Sequence, residues 1–298
     1  MKTVIAISGP TGVGKTALAI SLANHFQTEI ISCDSRQFYK EMSIGVARPS
    51  MEELNAARHH FISFLSVEEE YTAGMFSRDA RAKIQELFQT NEVVIVVGGS
   101  MLYMDALLYG LDELPGDKEI RNALNQRCEE EGLLVLVEEL KAKDPDFAAS
   151  VDLENAHRVI RALEVIQITG KTFSELRTKS SDAIDAKIIH LFLSGERGWV
   201  YDRINVRVDK MVEEGLFEEV ETLFALRNLQ ALNTVGYKEV FTYFEGACTK
   251  VEAIAEIKKN SRNYAKRQMT WYRNKPHVLQ FDVQKGDVSA AIISLLSN

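Results

Sequence analysis

The chain has 298 residues, of which 46% are hydrophobic and 26% charged, and its formal net charge is −8. These are ordinary values for a globular protein, and the acidic balance argues against a protein that coats DNA while leaving room for RNA bound by a local basic patch. Three scattered cysteines indicate neither a zinc site nor a disulfide framework. No apolar run is long enough to span a bilayer and no signal peptide is evident, so we expect a cytoplasmic protein.

The chain opens with a strand, a glycine-rich turn and a helix. Thr3–Ser8 is apolar and β-branched, as in a buried parallel strand, and Thr16–Phe26 has helical spacing. The turn between them matches the phosphate-binding P-loop pattern G-x-x-x-x-G-K-[ST], with backbone N–H groups and a helix N-terminus that bind phosphate oxygens. Its residues are Gly9, Pro10, Thr11, Gly12, Val13, Gly14, Lys15 and Thr16.

Further strands and helices alternate after the P-loop. Strands are predicted at Glu29–Cys33 and Val93–Val97, with an amphipathic helix over Met75–Gln89. This alternation predicts an α/β fold, a P-loop NTPase-like parallel sheet flanked by helices, with ligands at the carboxyl ends of the strands.

Two polar side chains follow strands at this predicted ligand edge. Asp34 follows the second strand, and its carboxylate serves as a general base, as a water-mediated Mg²⁺ ligand or only as a turn cap. Ser100 follows two glycines, so its hydroxyl either lies near the ligand or belongs to a plain strand-to-helix turn. The residues alone leave these alternatives open.

The usual companions of a nucleotide-binding P-loop are less evident. The strand Val93–Val97 runs into Gly98-Gly99-Ser100 without the acidic residue that helps to hold Mg²⁺, and no N-K-x-D guanine signature is found. The motif is typical of ATP-binding proteins, but here it predicts only a bound di- or triphosphate.

The second half of the chain is mostly helical. After a long helical stretch, strands are predicted at Lys187–Ser194 and Val278–Asp282, with helices from Trp199 to Arg273 between them. We expect a P-loop catalytic core, residues 1–111 plus 183–298, and an all-helical insertion domain at residues 112–182.

The segment from Lys258 to Arg273 has six basic residues and no acidic one. On a helix, one arc carries Lys258, Lys259, Arg262, Lys266 and Arg273, and the opposite arc carries Ile257, Tyr264 and Trp271. Without a compensating glutamate at i±4, this stripe favours an RNA backbone contact over a solvated charged face. We expect Arg158 and Arg161 of the insertion, which are one helical turn apart, to extend the same track.

These motifs, taken in order, resemble one family, the tRNA dimethylallyltransferases (tRNA isopentenyltransferases) of bacterial type. The matching segments are GPTGVGKT at 9–16, DSRQFY at 34–39, IGVARP at 44–49, HHF at 59–61, YTAGMFSRDA at 71–80, GGSMLY at 98–103, NAHRVIRALEVIQITGKT at 155–172, RINVRVDKMVEEGL at 203–216, VGYKE at 235–239 and KRQMTWYR at 266–273.

The resemblance implies transfer of a dimethylallyl group from dimethylallyl diphosphate to N6 of adenosine 37 in tRNAs that read codons beginning with U. The P-loop then holds a leaving diphosphate, which explains the missing acidic companion. Asp34 is implied as general base, Ser100 as a positioning hydroxyl, and Arg207 as a stabiliser of the diphosphate with Mg²⁺ bound at Thr16. The implied tRNA contacts are Asp34, Ser35, Arg36, Gln37, Ser100, Arg121, His157, Arg158, Val159, Ile160, Arg161, Asn233, Thr234, Val235, Gly236, Tyr237, Lys238, Lys266, Arg267, Gln268, Met269, Thr270, Trp271, Tyr272 and Arg273.

Two other classes of protein share parts of this pattern. A small-molecule or nucleotide kinase has the same P-loop and a helical lid, and it turns over ATP with a phosphoryl acceptor. A nucleotide-switched RNA-binding protein binds tRNA and leaves it chemically unchanged. The expected partners are the anticodon stem-loop of tRNA and dimethylallyl diphosphate, with no membrane and no obligatory protein partner, so that a monomer suffices.

Overall fold

A computed structural model describes residues 1–112, 114–177, 183–286 and 288–297. Its strands are β1 (Thr3–Ser8), β2 (Ile30–Ser32), β3 (His59–His60), β4 (Val93–Gly98), β5 (Lys187–Ser194) and β6 (Val278–Asp282). Within the described residues they form one six-stranded sheet in the order β3-β2-β4-β1-β5-β6, with every pair parallel. The predicted parallel α/β sheet is therefore confirmed.

The helices in the described ranges are α1 (Lys15–Phe26), α2 (Met51–Ala56), α3 (Ala73–Leu87), α4 (Met101–Tyr109), α5 (Lys118–Glu131), α6 (Leu133–Lys143), α7 (Pro145–Ser150), α8 (Ala156–Thr169), α9 (Phe173–Leu176), α10 (Arg197–Glu213), α11 (Leu216–Thr222), α12 (Lys238–Phe244), α13 (Lys250–Arg273) and α14 (Val288–Ser297). Two short 3-10 helices follow α11, at Phe224–Leu226 and Gln230–Leu232. None of the helices so described is long and apolar enough to cross a membrane.

The chain divides into two compact units, residues 1–108 with 184–298, and residues 109–183. The first unit carries the sheet. The second contains α5 to α9 and no strand among its described residues. Residue 182, where the sequence analysis ends the insertion, lies outside the described residues.

The central strand explains why the first apolar segment reads as continuously hydrophobic. β1 is hydrogen-bonded to β4 on one side and to β5 on the other, and all its residues are buried. In this register Ser8 lies beside Gly98, and Ser32 of β2 lies beside Val97. The segments that follow β1, β2 and β4 therefore leave the sheet at the same edge.

The second unit has its own core. Apolar residues of α5, α6 and α8 pack together there, including Leu124, Leu136, Leu140 and Leu163, each at most 1% exposed. Asp117 caps α5 by accepting hydrogen bonds from the amides of Glu119 and Ile120, as its place before an amphipathic segment predicts.

Candidate functional site

The P-loop joins β1 to α1 through a backbone that requires glycine. Gly14, the N-cap of α1, has φ +93°, which other residues adopt only at a cost. Lys15 folds back over the loop, and its Nζ donates to the carbonyl oxygen of Pro10 at 2.7 Å. Burial, reinforced by the nearby Arg207, lowers the pKa of Lys15 to about 8. A partly buried ammonium that forms no ion pair with a carboxylate among the described residues suits an incoming anion.

Asp34 lies two residues after the end of β2 and beside Gly99 in the loop that follows β4. Its Oδ1 accepts a hydrogen bond from the amide of Arg36 at 3.1 Å, so the carboxylate does cap a turn. Burial raises the pKa of Asp34, against the opposing effects of the Arg36 amide and of Lys15. A carboxylate with a raised pKa is a stronger proton acceptor, so capping and base chemistry are compatible in one side chain.

The loops after β2 and β4 are tied together by Ser100. Its Oγ accepts from the amide of Ser35 at 2.9 Å and donates to the Oγ of Ser35 at 3.0 Å. Close contact continues at Gly98, where a Cβ would stand 1.9 Å from the carbonyl oxygen of Cys33. Ser100 thus fixes the loop that carries Asp34, and its predicted direct contact with a substrate stays a prediction.

Two arginines of α10 reach the P-loop edge. Arg207 donates through Nη2 to the carbonyl oxygen of Ala47 at 3.4 Å, and burial lowers its pKa, although Glu53 and Asp34 act in the opposite direction. Arg203 donates to the carbonyl oxygen of Gly12. Arg203 was not predicted as a site residue, although its spacing of four residues from Arg207 places both side chains on one helix face.

These side chains surround a central cavity of about 100 Å³, lined by Thr11, Lys15, Thr16, Ser32, Asp34, Gln37, Val46, Ala47, Pro49, His59, Val97, Gly98, Gly99, Arg207, Tyr264 and Gln268. An open groove of about 1480 Å³ adjoins it, because Ala47, Pro49, His59 and Arg207 line both. The groove has a mixed lining of arginines and apolar side chains, including Arg48, Arg58, Arg203, Met51, Leu54, Ile62, Trp199 and Val206.

Gln268 of α13 also lines the central cavity. It is 2% exposed, and its Nε2 donates to the carbonyl oxygen of Gly99 at 2.8 Å. The phenol of Tyr264 donates to the same oxygen at 3.1 Å, and burial raises its pKa to about 12. The Oε1 of Gln268 is buried and finds no hydrogen-bond partner within the described residues. A buried, unpaired acceptor beside a cavity indicates a place for a donor from a ligand.

The basic stripe of α13 is narrower than predicted. Lys258 forms an ion pair with Asp209 at 2.6 Å, and Arg262 donates to the Oδ1 of Asn205 at 2.7 Å, so both bind α10. Lys259 pairs with Glu256 at 2.8 Å, one helical turn away. Three of the five cations of the stripe therefore have partners within the protein, although none of these partners is a glutamate at i±4. Lys266, Arg267 and Arg273 are exposed, and they form the outer face of the helix.

Several predicted tRNA-contacting side chains point into the protein, which corrects their assignment. Val159 and Ile160 belong to the core of the second unit, and Tyr272 to the core of the first. Tyr237 is fully buried and donates to Glu219, while the buried amide of Gly236 donates to Glu239. These residues were predicted to contact tRNA because whole segments were assigned together. The apolar or aromatic side chains among them already indicated burial.

Arg121 and Arg161 converge on a buried carboxylate. Arg121 donates to Glu164 at 3.0 Å and 3.2 Å, and Arg161 donates to it at 2.9 Å. Arg161 also donates to the carbonyl oxygens of Leu114 and Pro115. These two arginines therefore stabilise the second unit, whereas Arg158, on the same helix as Arg161, is exposed.

The remaining predicted contacts are at least partly accessible. His157, Arg158, Asn233, Lys238 and Thr270 are exposed, and Ser35, Arg36, Gln37, Thr234, Val235, Met269 and Trp271 are half-buried. Trp271 uses its Nε1 to bind Asp105 at 2.8 Å, and Gln37 donates to the carbonyl oxygens of Val46 and Ala47. Contact of these residues with tRNA stays a prediction.

Comparisons with known proteins agree on one family. The family described as IPP transferase matches residues 37–275. A tRNA dimethylallyltransferase of Christiangramia forsetii is 49% identical over 280 residues, covering 94% of this chain and 93% of that protein. One from Flavobacterium johnsoniae is 47% identical over 289 residues, covering 95% of this chain and 94% of that protein.

Solved structures give the same result. The full-length tRNA isopentenylpyrophosphate transferase of Bacillus halodurans superposes with a TM-score of 0.72 at 36% identity, covering 100% of this chain and 95% of that one. A eukaryotic dimethylallyltransferase acting on tRNA superposes with a TM-score of 0.81 at 26% identity, covering 99% of this chain and 78% of that one.

Proposed function

Because the chain belongs to the IPP transferase family, we propose that it transfers a dimethylallyl group from dimethylallyl diphosphate to N6 of adenosine 37 of tRNA. One observation carries the proposal at the level of chemistry. A P-loop lysine, a carboxylate with a raised pKa and a buried arginine line one small cavity, with no second carboxylate among its described lining residues. This set suits departure of a diphosphate beside a proton acceptor.

The reaction exchanges one bond for another. The lone pair of the adenine amine forms a C–N bond with the allylic carbon as the C–O bond to the diphosphate breaks. The amine is a weak nucleophile because its lone pair is delocalised into the ring, so removal of its proton by Asp34 assists the attack. Lys15 and Arg207 stabilise the negative charge that develops on the leaving diphosphate.

Mg²⁺ fits the donor set at the start of α1. The hydroxyl of Thr16 and the carboxylate of Asp34 both line the cavity. A hydroxyl and a water-mediated carboxylate suit an ion that keeps several waters and binds the oxygens of its phosphate ligand. When bound there, the ion neutralises diphosphate charge. Thr16 would hold it directly, and Asp34 would do so through water.

The adjoining groove provides space for the donor. It shares Arg207 with the central cavity and continues along apolar side chains such as Leu54, Trp199 and Val206. We propose that the diphosphate occupies the P-loop end and that the five-carbon chain lies against this apolar wall. Such a division matches the chemistry of a ligand with one charged and one apolar end.

The adenine base needs a hydrogen-bond acceptor for its amine and a route into the cavity. Gln268 offers an unpaired, buried Oε1, which suits one N–H of the exocyclic amine while Asp34 takes the other proton. The base must leave its stack to enter so small a cavity. We propose that Lys266, Arg267 and Arg273 bind the tRNA backbone outside it, together with His157 and Arg158 of the second unit.

The test is direct modification. Purified protein is incubated with dimethylallyl diphosphate, Mg²⁺ and unmodified tRNA bearing adenosine at position 37, and the digested tRNA is analysed by mass spectrometry for N6-dimethylallyladenosine. A parallel reaction is supplied with ATP. ATP turnover that depends on a phosphoryl acceptor, without a mass gain of the tRNA, would favour a kinase, and tRNA binding without either reaction would favour an RNA-binding protein. The comparisons favour neither alternative. A cytoplasmic monomer stays a prediction, which sedimentation of the purified protein checks for oligomeric state.

A further inference from the structure

The carboxylate of Glu219 gathers the backbone of a neighbouring loop. Glu219 lies on α11, and its Oε2 accepts hydrogen bonds from the amides of Ser43 at 3.0 Å and Ile44 at 2.8 Å. Its Oε1 accepts from the amide of Gly45 at 3.0 Å and from the phenol of Tyr237 at 2.6 Å. One side chain thus satisfies three consecutive amides, which fixes the path of the backbone at this point.

Tyr237 completes this anchor from inside the protein. It is fully buried, and burial, together with the adjacent Glu219, raises the pKa of its phenol far above the usual range. Its ring packs on Gly45, where a Cβ would stand 2.5 Å from the ring carbon Cε2. Any larger residue at Gly45 would displace the ring. The loop and the tyrosine are therefore tightly packed against each other at this position.

The anchored loop forms a wall of the central cavity. The residues that follow it, Val46, Ala47 and Pro49, line that cavity. Gln37 donates to the carbonyl oxygens of Val46 at 3.2 Å and Ala47 at 3.1 Å, and Arg207 donates to the latter at 3.4 Å. Ala47 has φ +51°, a conformation that costs a residue with a Cβ and persists only where its surroundings hold it.

We infer that Glu219 and Tyr237 are positioning residues for the transfer reaction, which hold the backbone of residues 43–45 so that residues 46–49 close the cavity around the diphosphate and the acceptor. This inference rests on the proposed function. Neither residue is among the described residues that line the central cavity, so both act through the loop. Nothing in the motif VGYKE indicates this role, because the partner carboxylate lies 18 residues away in the chain.

Two variants and a control test the inference. Glu219→Gln keeps the size of the side chain but places an NH₂ group among N–H donors, so that part of the anchor is lost. Tyr237→Phe removes only the phenol. Glu221→Gln is the matched control, because Glu221 is an exposed glutamate on the same short helix. The measurements are amide hydrogen exchange of residues 43–47, the KM for dimethylallyl diphosphate, kcat, and the affinity for inorganic diphosphate by calorimetry.

In Glu219→Gln we expect exchange of the Ser43, Ile44 and Gly45 amides to accelerate about tenfold or more, because a charge-assisted anchor opposes local opening. The KM for the donor should rise by a similar factor, with tRNA affinity unchanged. In Tyr237→Phe the exchange rates and the KM should rise only a few-fold, because Glu219 loses one of its four hydrogen-bond donors. Glu221→Gln should match the wild type.

Faster exchange at the loop with an unchanged KM and kcat would overturn the inference, since the anchor would then serve stability alone. Unchanged exchange in both variants would overturn it as well. If the wild type transfers no prenyl group, the proposed function fails, and the anchor is judged on inorganic diphosphate. Weaker binding in Glu219→Gln than in Glu221→Gln then supports it, and equal binding overturns it. If Glu219→Gln does not fold, Tyr237→Phe decides by the same measurements.

Discussion

The side chain of Gln268 is joined to the main chain of Gly99 by a hydrogen bond of 2.8 Å, and its Nε2 also lies 3.4 Å from the carbonyl oxygen of Gly9. Gly9 follows β1 and Gly99 follows β4, so one residue of α13 holds two loops of the sheet edge. The two carbonyl oxygens fix the orientation of the amide, because only its NH₂ group can donate to both. Its Oε1 is thereby left as the acceptor.

Gln268→Met should impair transfer while the protein stays folded. Methionine fills a similar volume but neither donates to the two carbonyl oxygens nor accepts from a substrate amine. We expect the free energy of unfolding to fall by about 1–3 kcal/mol and kcat to fall at least about tenfold. Thermal unfolding and single-turnover transfer measure the two effects. Asn263→Ala, an exposed change on the same helix, is the control. A wild-type kcat would contradict the proposed contact with the acceptor.

Asp34→Asn separates capping from base catalysis. The amide oxygen of asparagine can still accept the hydrogen bond from Arg36, so the turn should persist, whereas a neutral amide cannot take a proton. We expect turnover to fall about 10²–10⁴-fold, with tRNA and diphosphate affinities little changed. Because burial raises the pKa of Asp34 in the free protein, the wild type should lose activity as pH falls through a value above the ordinary 3.8. Turnover near the wild-type value in Asp34→Asn would show that the carboxylate caps the turn and is not the general base.

Deprotonation of Lys15 should weaken diphosphate binding at alkaline pH. Its pKa is lowered from 10.5 to about 8, so in the free protein the ammonium loses its proton as pH rises through about 8. A bound polyanion favours the charged form, and binding above this pH must therefore take up a proton. The contribution of the Lys15 ammonium to the affinity for inorganic diphosphate should be constant well below pH 8 and should fall as pH rises through this value. Calorimetry in two buffers of different ionisation enthalpy measures the proton uptake. Equal apparent enthalpies in the two buffers at pH 9 would contradict the assignment.

The exposed and paired cations of α13 should behave differently towards tRNA. Lys266→Ala and Arg267→Ala remove cations of the outer face, and each lost phosphate contact should lower the slope of log affinity against log salt concentration by about 0.7–0.9. Lys258→Ala and Arg262→Ala are the matched controls, because these side chains bind Asp209 and Asn205 of α10. Filter binding over a range of salt measures the slopes. Equal slopes in all four variants would show that the exposed cations of the outer face do not contact tRNA phosphates.

The sequence predicted the parts of the site that lie within one segment. The P-loop, the acid after β2 and the two glycines at the end of β4 were recognisable because strand, turn and helix are neighbours in the chain. The alternation of strands and helices predicted that these segments share one edge of the sheet. The short β3 and α2 were not predicted. β3 has only two residues, His59 and His60, and takes its conformation from pairing with β2, which no local pattern shows.

The contacts that organise the site join distant segments, and the sequence could not predict them. Glu219 binds a loop about 175 residues earlier in the chain, and Gln268 reaches Gly9 over 259 residues. Composition says only that such polar groups need partners. The pairing of Lys259 with Glu256, by contrast, was readable at a spacing of three residues, and the burial of Val159 and Ile160 followed from their apolar character.

Glu164 stabilises the second unit through its hydrogen bonds with Arg121 and Arg161, and its substitution tests that contribution. It is fully buried, and hydrogen bonds from Arg121 and Arg161 outweigh the effect of burial, so its pKa is lowered. The carboxylate therefore stabilises the fold above its unfolded pKa of about 4.5, and this contribution is lost as pH falls through the lower, folded value. Breaking a fully buried pair costs about 3–5 kcal/mol.

Because both arginines are about one-third or more exposed, we expect Glu164→Gln to lower the free energy of unfolding by less than the cost of breaking a fully buried pair, about 1–3 kcal/mol. Glu138→Gln is the control, since its ion pair with Lys141 is exposed and should contribute little. Hydrogen exchange of α5 and α8 at neutral pH measures the loss locally. The acid-induced loss of protection expected in the wild type should also be smaller in Glu164→Gln. An equal acid response in both proteins would assign that stability to other carboxylates, because only a titrating group at position 164 can produce the difference.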